Sequence, residues 1–412
     1  MQNRVFYKNT ILLYILKLSN YLFNFITVPL QTRVLGANNY ALLGFSVAIT
    51  TYFQNFIDFG FTLSGTEKIS KFCDDNNKIS IIHSTVFYAK LLLLLLSMII
   101  FIVLFYILRI FNINNQILLF YYISSVLIAF SPDYLYLGLQ KVEQIMFRTL
   151  ISKSIFTILL FITLKKSNQL YLVPIYQIFG NLFSIIFIYF HIVFVLKIKF
   201  VKVRFQNIVL EILNTSQFYA SRLFLTLFST INTLSLGYKY GTDSLELGYY
   251  RPAEQLVSTG KQVIGPVSDS LYPYMVTNKD MKLFKKIFKI GILIILIGSI
   301  IVFIFSDNIC LIIFGTEFVK TSYYLRLLTP CVLLSFITVM TGYPLLSPLG
   351  LTKFANYSSI VSSIFHIVFV LLLIIFNKFS VSSLCILTIF SELMNSLIRI
   401  FIYFNYRMRF KE

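Results

Sequence analysis

Arg251, Gln255, Ser258, Gln262, Gly265 and Asp269 recur every three or four residues within 248–275. That spacing lines one face of a helix. The stretch is long enough to cross a bilayer, for which about 20 residues are needed. It also holds Glu254 and Lys261. Three more stretches repeat the pattern. Lys17, Asn20, Asn24, Thr27 and Gln31 form one seam. Thr51, Gln54, Asn55, Asp58, Thr62 and Gly65 form the second, and Arg222, Thr226, Ser229 and Thr233 the third. Serine, threonine and asparagine often bond across membrane helices at about 0.6 kcal/mol each, and Thr27, Ser229 and Thr233 fit that use. The cations do not. A lysine or arginine at the centre of a spanning helix costs about 2.5–3.5 kcal/mol against lipid even on the lenient scale. Lys17, Arg222 and Lys261 therefore have to face an interior cavity or an acid.

Some pairs are readable from spacing. Arg251 and Glu254 lie one turn apart, and Lys17 and Asp58 fall at similar depth. Arg222 and Lys261 show no obvious acid nearby, and an uncompensated cation in a membrane interior is a site for an anion. By depth the cations form a series: Lys17, then Arg222 and Lys261, then Arg251 with Arg33 at the outer end. The series suits a negative group crossing outward. Lys90, Arg326 and Arg399 lie nearer span ends, where long side chains can reach the interface, and are read as structural. Asp58, Glu254 and Asp269 are the candidates for ion pairing or for proton or Na⁺ coupling.

The whole chain must position these seams inside a membrane. It is 58% hydrophobic and 12% charged, where soluble domains are about 25% charged. Twelve spans are expected, at 11–31, 40–63, 82–108, 116–139, 146–164, 170–196, 208–236, 248–275, 287–306, 322–346, 355–376 and 380–404. Leu91–Leu96 and Ile290–Ile304 carry almost nothing polar and should face lipid. The first span is flanked by Arg4 and Lys8, is interrupted by Lys17 and has no small-residue cleavage site after it, so it reads as a retained helix. Pro29 is expected to end it. Pro132 with Asp133 should interrupt the fourth span, and Pro252, Pro266 and Pro273 should bend the eighth.

The net charge of +19 sits on loops and seams, not on a soluble basic domain, which argues against nucleic acid. One set of alternate loops holds most of the Lys and Arg. The other set holds only Arg33, Arg109, Lys165, Lys166, Lys239, Lys320 and Lys378. That bias puts both termini in the cytoplasm. Weak internal likeness, Leu35-Gly36 with Gly44-Phe45 against Tyr240-Gly241 with Gly248-Tyr249, supports two halves. The expected architecture is all-α and polytopic. Twelve helices form two six-helix bundles, 1–205 and 206–412, related by a pseudo-two-fold along the membrane normal. The first and second spans then correspond to the seventh and eighth, the four that carry seams.

The cysteines are scattered, and the sequence holds no CxxC, HExxH, GxGxxG or phosphate-binding loop. Metal, disulfide and nucleotide chemistry are not indicated. No catalytic residues, cofactor or metal are expected. His83, His191 and His366 read as packing residues.

Tyr21, Pro29-Leu30-Gln31-Thr32-Arg33-Val34-Leu35-Gly36 and Tyr40, followed by Asp58-Phe59-Gly60-Phe61 and Gly65-Thr66-Glu67, resemble the N-terminal signature of Wzx O-antigen flippases. These form the polysaccharide-transporter branch of the MATE-like MOP exporter superfamily. Tyr249-Tyr250-Arg251-Pro252-Ala253-Glu254-Gln255-Leu256 resembles that family's eighth helix, and Phe314-Gly315-Thr316-Glu317-Phe318 the segment before its tenth. The resemblance implies a two-lobed fold with a central cationic cavity. It implies translocation of an undecaprenyl-pyrophosphate-linked sugar repeat unit across the bacterial inner membrane by alternating access. The implied partners are that glycolipid, the surrounding membrane lipids, a polysaccharide polymerase and a chain-length regulator. Arg33, Asp58, Arg251 and Glu254 fall on matching positions, whereas Lys17, Asn24, Arg222, Lys261 and Asp269 rest on the seams alone. Two other readings differ in what they require. A cation-coupled multidrug exporter of the same superfamily needs acids to dominate the seams. An O-antigen polymerase or ligase needs a long periplasmic loop bearing a catalytic Arg or His.

Overall fold

A computed structural model describes residues 2–110 and 115–409, the side chains of 2–10, 13, 17, 108–110, 115, 217, 220, 221, 225, 273, 277 and 407–409 excepted. All regular structure among the described residues is helical. Eight helical stretches are long and apolar enough to cross a membrane: Asn76–Ile107, Gln116–Gly138, Val142–Thr163, Ser167–Val195, Met281–Ile304, Thr321–Leu349, Thr352–Ile375 and Val381–Tyr406. The chain is a multi-pass membrane protein. These eight match eight of the expected spans to within a few residues. The other four, at 11–31, 40–63, 208–236 and 248–275, are largely helical, with turns at 59–60 and at 263, but are not apolar enough to be counted. They are the four with polar seams, so the same polar residues that define the seams remove them from an apolar count.

The first seam helices are α1 (Gln2–Asp58) and α2 (Phe61–Lys71). The eight apolar stretches include α3 (Asn76–Ile110), α4 (Asn115–Ala129), α5 (Asp133–Gly138), α6 (Val142–Thr163) and α7 (Leu172–Phe190). The later seams lie on α8 (Phe205–Tyr240), α9 (Leu245–Gln262) and α10 (Ile264–Asn278). Beyond them come α11 (Met281–Ile304), α12 (Ser306–Phe314), α13 (Thr321–Leu328), α14 (Pro330–Thr341), α15 (Tyr343–Leu346), α16 (Thr352–Ile375) and α17 (Val381–Arg409).

Two compact units emerge, Met1–Leu35 with Leu43–Thr226, and Gly36–Leu42 with Leu227–Glu412. Compactness and the sequence repeat thus divide the chain at different places. The first unit packs Phe61, Ile69, Val86, Leu135, Tyr136 and Ile188 into one apolar cluster. The second packs Ile264, Leu271, Met275, Phe336 and Met340.

Pro29 does not end the first span. It lies inside α1, and Thr32 Oγ1 donates to the carbonyl of Pro29 at 3.1 Å and of Val28 at 3.0 Å. The helix breaks instead at Gly36, whose φ of 77° and ψ of 172° are non-helical. Glycine enters that region without the steric cost of a Cβ. The first amides of the restarted helix have no intrahelical acceptor, and Glu317 supplies one: Ala37 N–H donates to Glu317 Oε1 at 2.9 Å. A carboxylate there also meets the positive end of the helix dipole. A Cβ on residue 36 would stand 3.1 Å from that carboxylate, so the loop and the break fit each other.

Pro132 and Pro266 lie at breaks, whereas no break falls at Pro252 or Pro273, which lie inside helices. Pro132 separates α4 from α5. Pro252 sits within α9, and the eighth expected span breaks between Gln262 and Ile264, just before Pro266. Ser244 caps α9, its hydroxyl accepting from Leu247 N–H at 3.4 Å.

Gly248 lets α9 pack directly on the restarted helix. A Cβ there would sit 2.7 Å from the Ala37 carbonyl carbon. Gly248→Val should therefore destabilise the protein by about 1–3 kcal/mol, the usual cost of overpacking. Thermal unfolding in detergent checks this, and an unchanged midpoint would show that the close approach carries no weight.

Candidate functional site

Asp58 ends α1, and Phe59 (φ 45°) and Gly60 (φ 84°) make a left-handed turn before α2 starts. The turn is pinned by packing. A Cβ at Gly60 would lie 2.8 Å from Phe218 Cβ, and the Phe59 ring stacks on Tyr219 with centroids 4.5 Å apart. This fixes the direction of the Asp58 carboxylate, which is only 6% exposed.

Two cations share that carboxylate. Lys90 on α3 donates to Oδ1 at 3.0 Å and to the Ala129 carbonyl at 2.6 Å. Arg222 on α8 donates through Nη1 to Oδ2. Thr62 adds a donor to Oδ2 at 3.0 Å. One negative charge therefore faces two positive ones. The lysine side chain is 2% exposed, whereas the arginine side chain is 39% exposed.

The triad is one rung of a polar ladder. Asn55 Nδ2 donates to Thr226 Oγ1 at 2.7 Å, Ser64 meets Thr215 at 3.1 Å, and Lys68 pairs with Glu211. Residues 211, 215, 222 and 226 step by fours and sevens, so they share one face of α8. Partners at 68, 64, 58 and 55 run the opposite way along α1 and α2. The seams of the second and seventh expected spans thus interlock over this length.

Within the second unit the seam of α9 is paired more evenly. Arg251 donates to Glu254 Oε2 at 2.7 Å, the pair that their spacing predicts, and to Thr233 Oγ1 at 3.2 Å. Tyr250 donates to Glu254 Oε1 at 3.2 Å. Asn232 donates to Tyr250 and Thr388, both at 3.0 Å, and its carbonyl meets His366 Nε2 at 2.8 Å. His366 Nδ1 meets Ser391 at 2.8 Å. His366 is therefore a buried network member, and His83 and His191 bond to Tyr134 and Tyr136 at 2.9 Å each.

The expectation that Arg222 and Lys261 lack acids is overturned. Arg222 pairs with Asp58, and Lys261 pairs with Glu392 at 2.7 Å. Glu392 also accepts from Ser335 at 3.2 Å. The chain brings these partners together from 164 and 131 residues apart. Lys90 is not extended outward: it is buried and held by Asp58. Arg399 is not either. It is 7% exposed and donates to the Ala355 carbonyl at 2.9 Å, the Thr338 carbonyl and the hydroxyls of Ser358 and Ser359, each at 2.8 Å. Arg326, more exposed, pairs with Asp307. Asn24, Arg33 and Asp269 are exposed, and the Lys17 side chain lies outside the described residues. Glu392 and Glu211 went unread although each is an acid inside an apolar run. A carboxylate within a span is itself a signal of a partner or a site.

Residues 6–279 match the family model described as polysaccharide biosynthesis protein. The chain belongs to that family. Two relatives of the family carry the name "Putative O-antigen transporter". The chain is 24% identical to one from Shigella dysenteriae over 374 residues, covering 88% of this chain and 91% of that protein. It is 23% identical to the other, from Escherichia coli (strain K12), over 266 residues, 65% of this chain and 64% of the relative. The fold is shared with solved transporters. A structure titled lipid II flippase MurJ, inward closed conformation, aligns with a TM-score of 0.75 at 14% identity, covering 95% of this chain and 86% of that one. An inward-facing multidrug resistance MATE family transporter of the MOP superfamily aligns at 0.71 and 14% identity, covering 96% and 97%.

Removing one partner from a buried ion pair costs about 3–5 kcal/mol, because the other charge stays bare. Asp58→Asn should therefore lower the folded yield more than Arg222→Gln does. Asp58→Asn with Lys90→Met should recover most of the loss. Membrane protein level and unfolding midpoint read this, and no recovery in the double variant would contradict the triad.

Proposed function

We propose that the protein is a flippase for a lipid-linked saccharide carrying a negatively charged head, an undecaprenyl-pyrophosphate-linked O-antigen or related repeat unit. The chain's family and its O-antigen-transporter relatives support transport of polysaccharide precursors, and the fold it shares with MurJ is compatible with moving a lipid-linked glycan. The observation that carries the reading is the charge at Asp58. Two cations share one carboxylate, and the half-exposed one, Arg222, keeps donors for a second anion. Guanidinium groups suit the oxygens of a diphosphate.

In this reading the polar seam helices are spans as well, giving twelve. Both termini lie on the cytoplasmic side of the inner membrane, and the lipid-linked unit passes to the periplasmic leaflet by alternating access. Arg222, Lys261, Arg251, Arg33, Lys17 and Asn24 meet the head group and glycan. Asp58, Glu254 and Asp269 hold those cations or carry a coupling proton or Na⁺. No covalent bond changes in the transported molecule, so the protein acts as a transporter and not as an enzyme. A polymerase and chain-length regulator would act on what it delivers. A multidrug exporter on the same fold is disfavoured by the cationic excess of the seams, which repels cationic drugs.

Arg222→Ala should reduce surface polysaccharide by about ten- to a hundred-fold in a flippase-dependent strain, the worth of roughly 1.5–3 kcal/mol for bonds to a charged group. Arg222→Lys should retain part of the activity. Lys261→Met with Glu392→Gln removes the second cation without stranding its acid and should also impair export. Immunoblots of the membrane fraction separate transport from folding. Normal surface polysaccharide in both neutralised variants, at normal protein level, would sink the anion site.

A further inference from the structure

The helices that carry Lys261 also wall an apolar groove in the second unit, of about 340 Å³, at the lower end of the range for ligand pockets. Val257 and Gly260 of α9, the following Val263, Gly298 and Val302 of α11, and Val332 of α14 line it.

Two glycines of α11 show that the groove is a vacancy in the packing. Gly291 and Gly298 are seven residues apart and so share a face. The space at Gly291 is filled, and a Cβ there would lie 2.7 Å from Phe336 Cε2. At Gly298 a Cβ would meet nothing within 4 Å. Glycine weakens a helix relative to alanine, and neither positive φ nor packing demands it at 298. The notch lacks a protein occupant, on a helix whose best apolar window has no buried residue and which therefore faces lipid.

We propose that this groove seats the isoprenoid chain of the transported lipid, an inference that rests on the flippase reading above. The ligand so implied is amphiphilic, and α9 is built for both ends. Gly260 opens the apolar groove, and the next residue, Lys261, carries a cation 25% exposed beside Glu392. The lining is rich in branched aliphatic side chains, with one open notch at Gly298, and a methyl-branched chain has a side group to place in that notch where a straight acyl chain has none.

The test is binding to purified full-length protein by native mass spectrometry, with undecaprenyl diphosphate and dimethylallyl diphosphate as probes. Gly298→Leu should weaken undecaprenyl diphosphate by at least about ten-fold, the equivalent of roughly two buried methylenes. It should leave the short diphosphate unchanged. Gly298→Ala should bind like the parent. Val332→Phe fills the groove from the opposite wall and should reproduce the Leu effect, which covers the case of a Gly298→Leu variant that does not fold. Unchanged affinity for the long chain in both filled variants overturns the groove, as does an equal loss of co-purified phosphatidylglycerol, which would mark it as a general lipid crevice. Binding of both diphosphates with no dependence on the groove leaves the flippase reading standing and removes only this inference. Binding of neither to the parent protein removes both.

Discussion

A charge in hydrocarbon must find another charge or water, and most of the seam architecture follows from that constraint. Asp58 shows how far the chain goes to meet it. The helix stops, two consecutive residues take positive φ, and an aromatic stack on Tyr219 locks the turn. The result is a carboxylate aimed at Lys90 and Arg222. Such pairs seldom add net stability, since desolvation offsets the attraction. Of the two cations that Asp58 holds, Lys90 is buried and Arg222 is partly exposed.

The second unit meets the same constraint differently. Arg251 with Glu254, and Lys261 with Glu392, are neutral pairs. Arg399 has no carboxylate among its donors' partners and is held by carbonyl and hydroxyl oxygens instead. In the first unit two cations share the one Asp58 carboxylate, whereas in the second Arg251 and Lys261 each have an acid of their own and Arg399 has only neutral acceptors among the described residues.

Much of this was legible in the sequence and some was not, for physical reasons. Helical spacing within one stretch picked out Asn55 and Asp58 on α1 and Arg222 and Thr226 on α8, which the fold joins, because a period of three to four is local information. The Arg251–Glu254 pair was legible for the same reason. The partners of Arg222, Lys261 and Lys90 were not, since each lies on another helix and spacing says nothing about which helices meet. Proline misled at residue 29, where Thr32 and the helix absorb it, while the break fell at Gly36, whose conformation and acceptor Glu317 depend on a loop far along the chain. Apolar length marks eight spans among the described residues and leaves out the four expected ones that carry polar seams, because a helix lined with polar residues is not apolar. The shared fold does not choose among transporters, since MATE and MurJ structures both align across nearly the whole chain. Function has to be argued from the site, and the proposal of an anionic substrate rests on the two cations that share Asp58.

The most direct measurement is transport in proteoliposomes holding only this protein. A diphosphate-linked oligosaccharide lipid is placed in one leaflet, and its arrival in the other is read by a membrane-impermeant glycosidase. The account predicts that the protein accelerates translocation of the diphosphate lipid and leaves a neutral glycolipid with the same sugars behind. Translocation indifferent to the diphosphate, or movement of cationic drugs in its place, would contradict it.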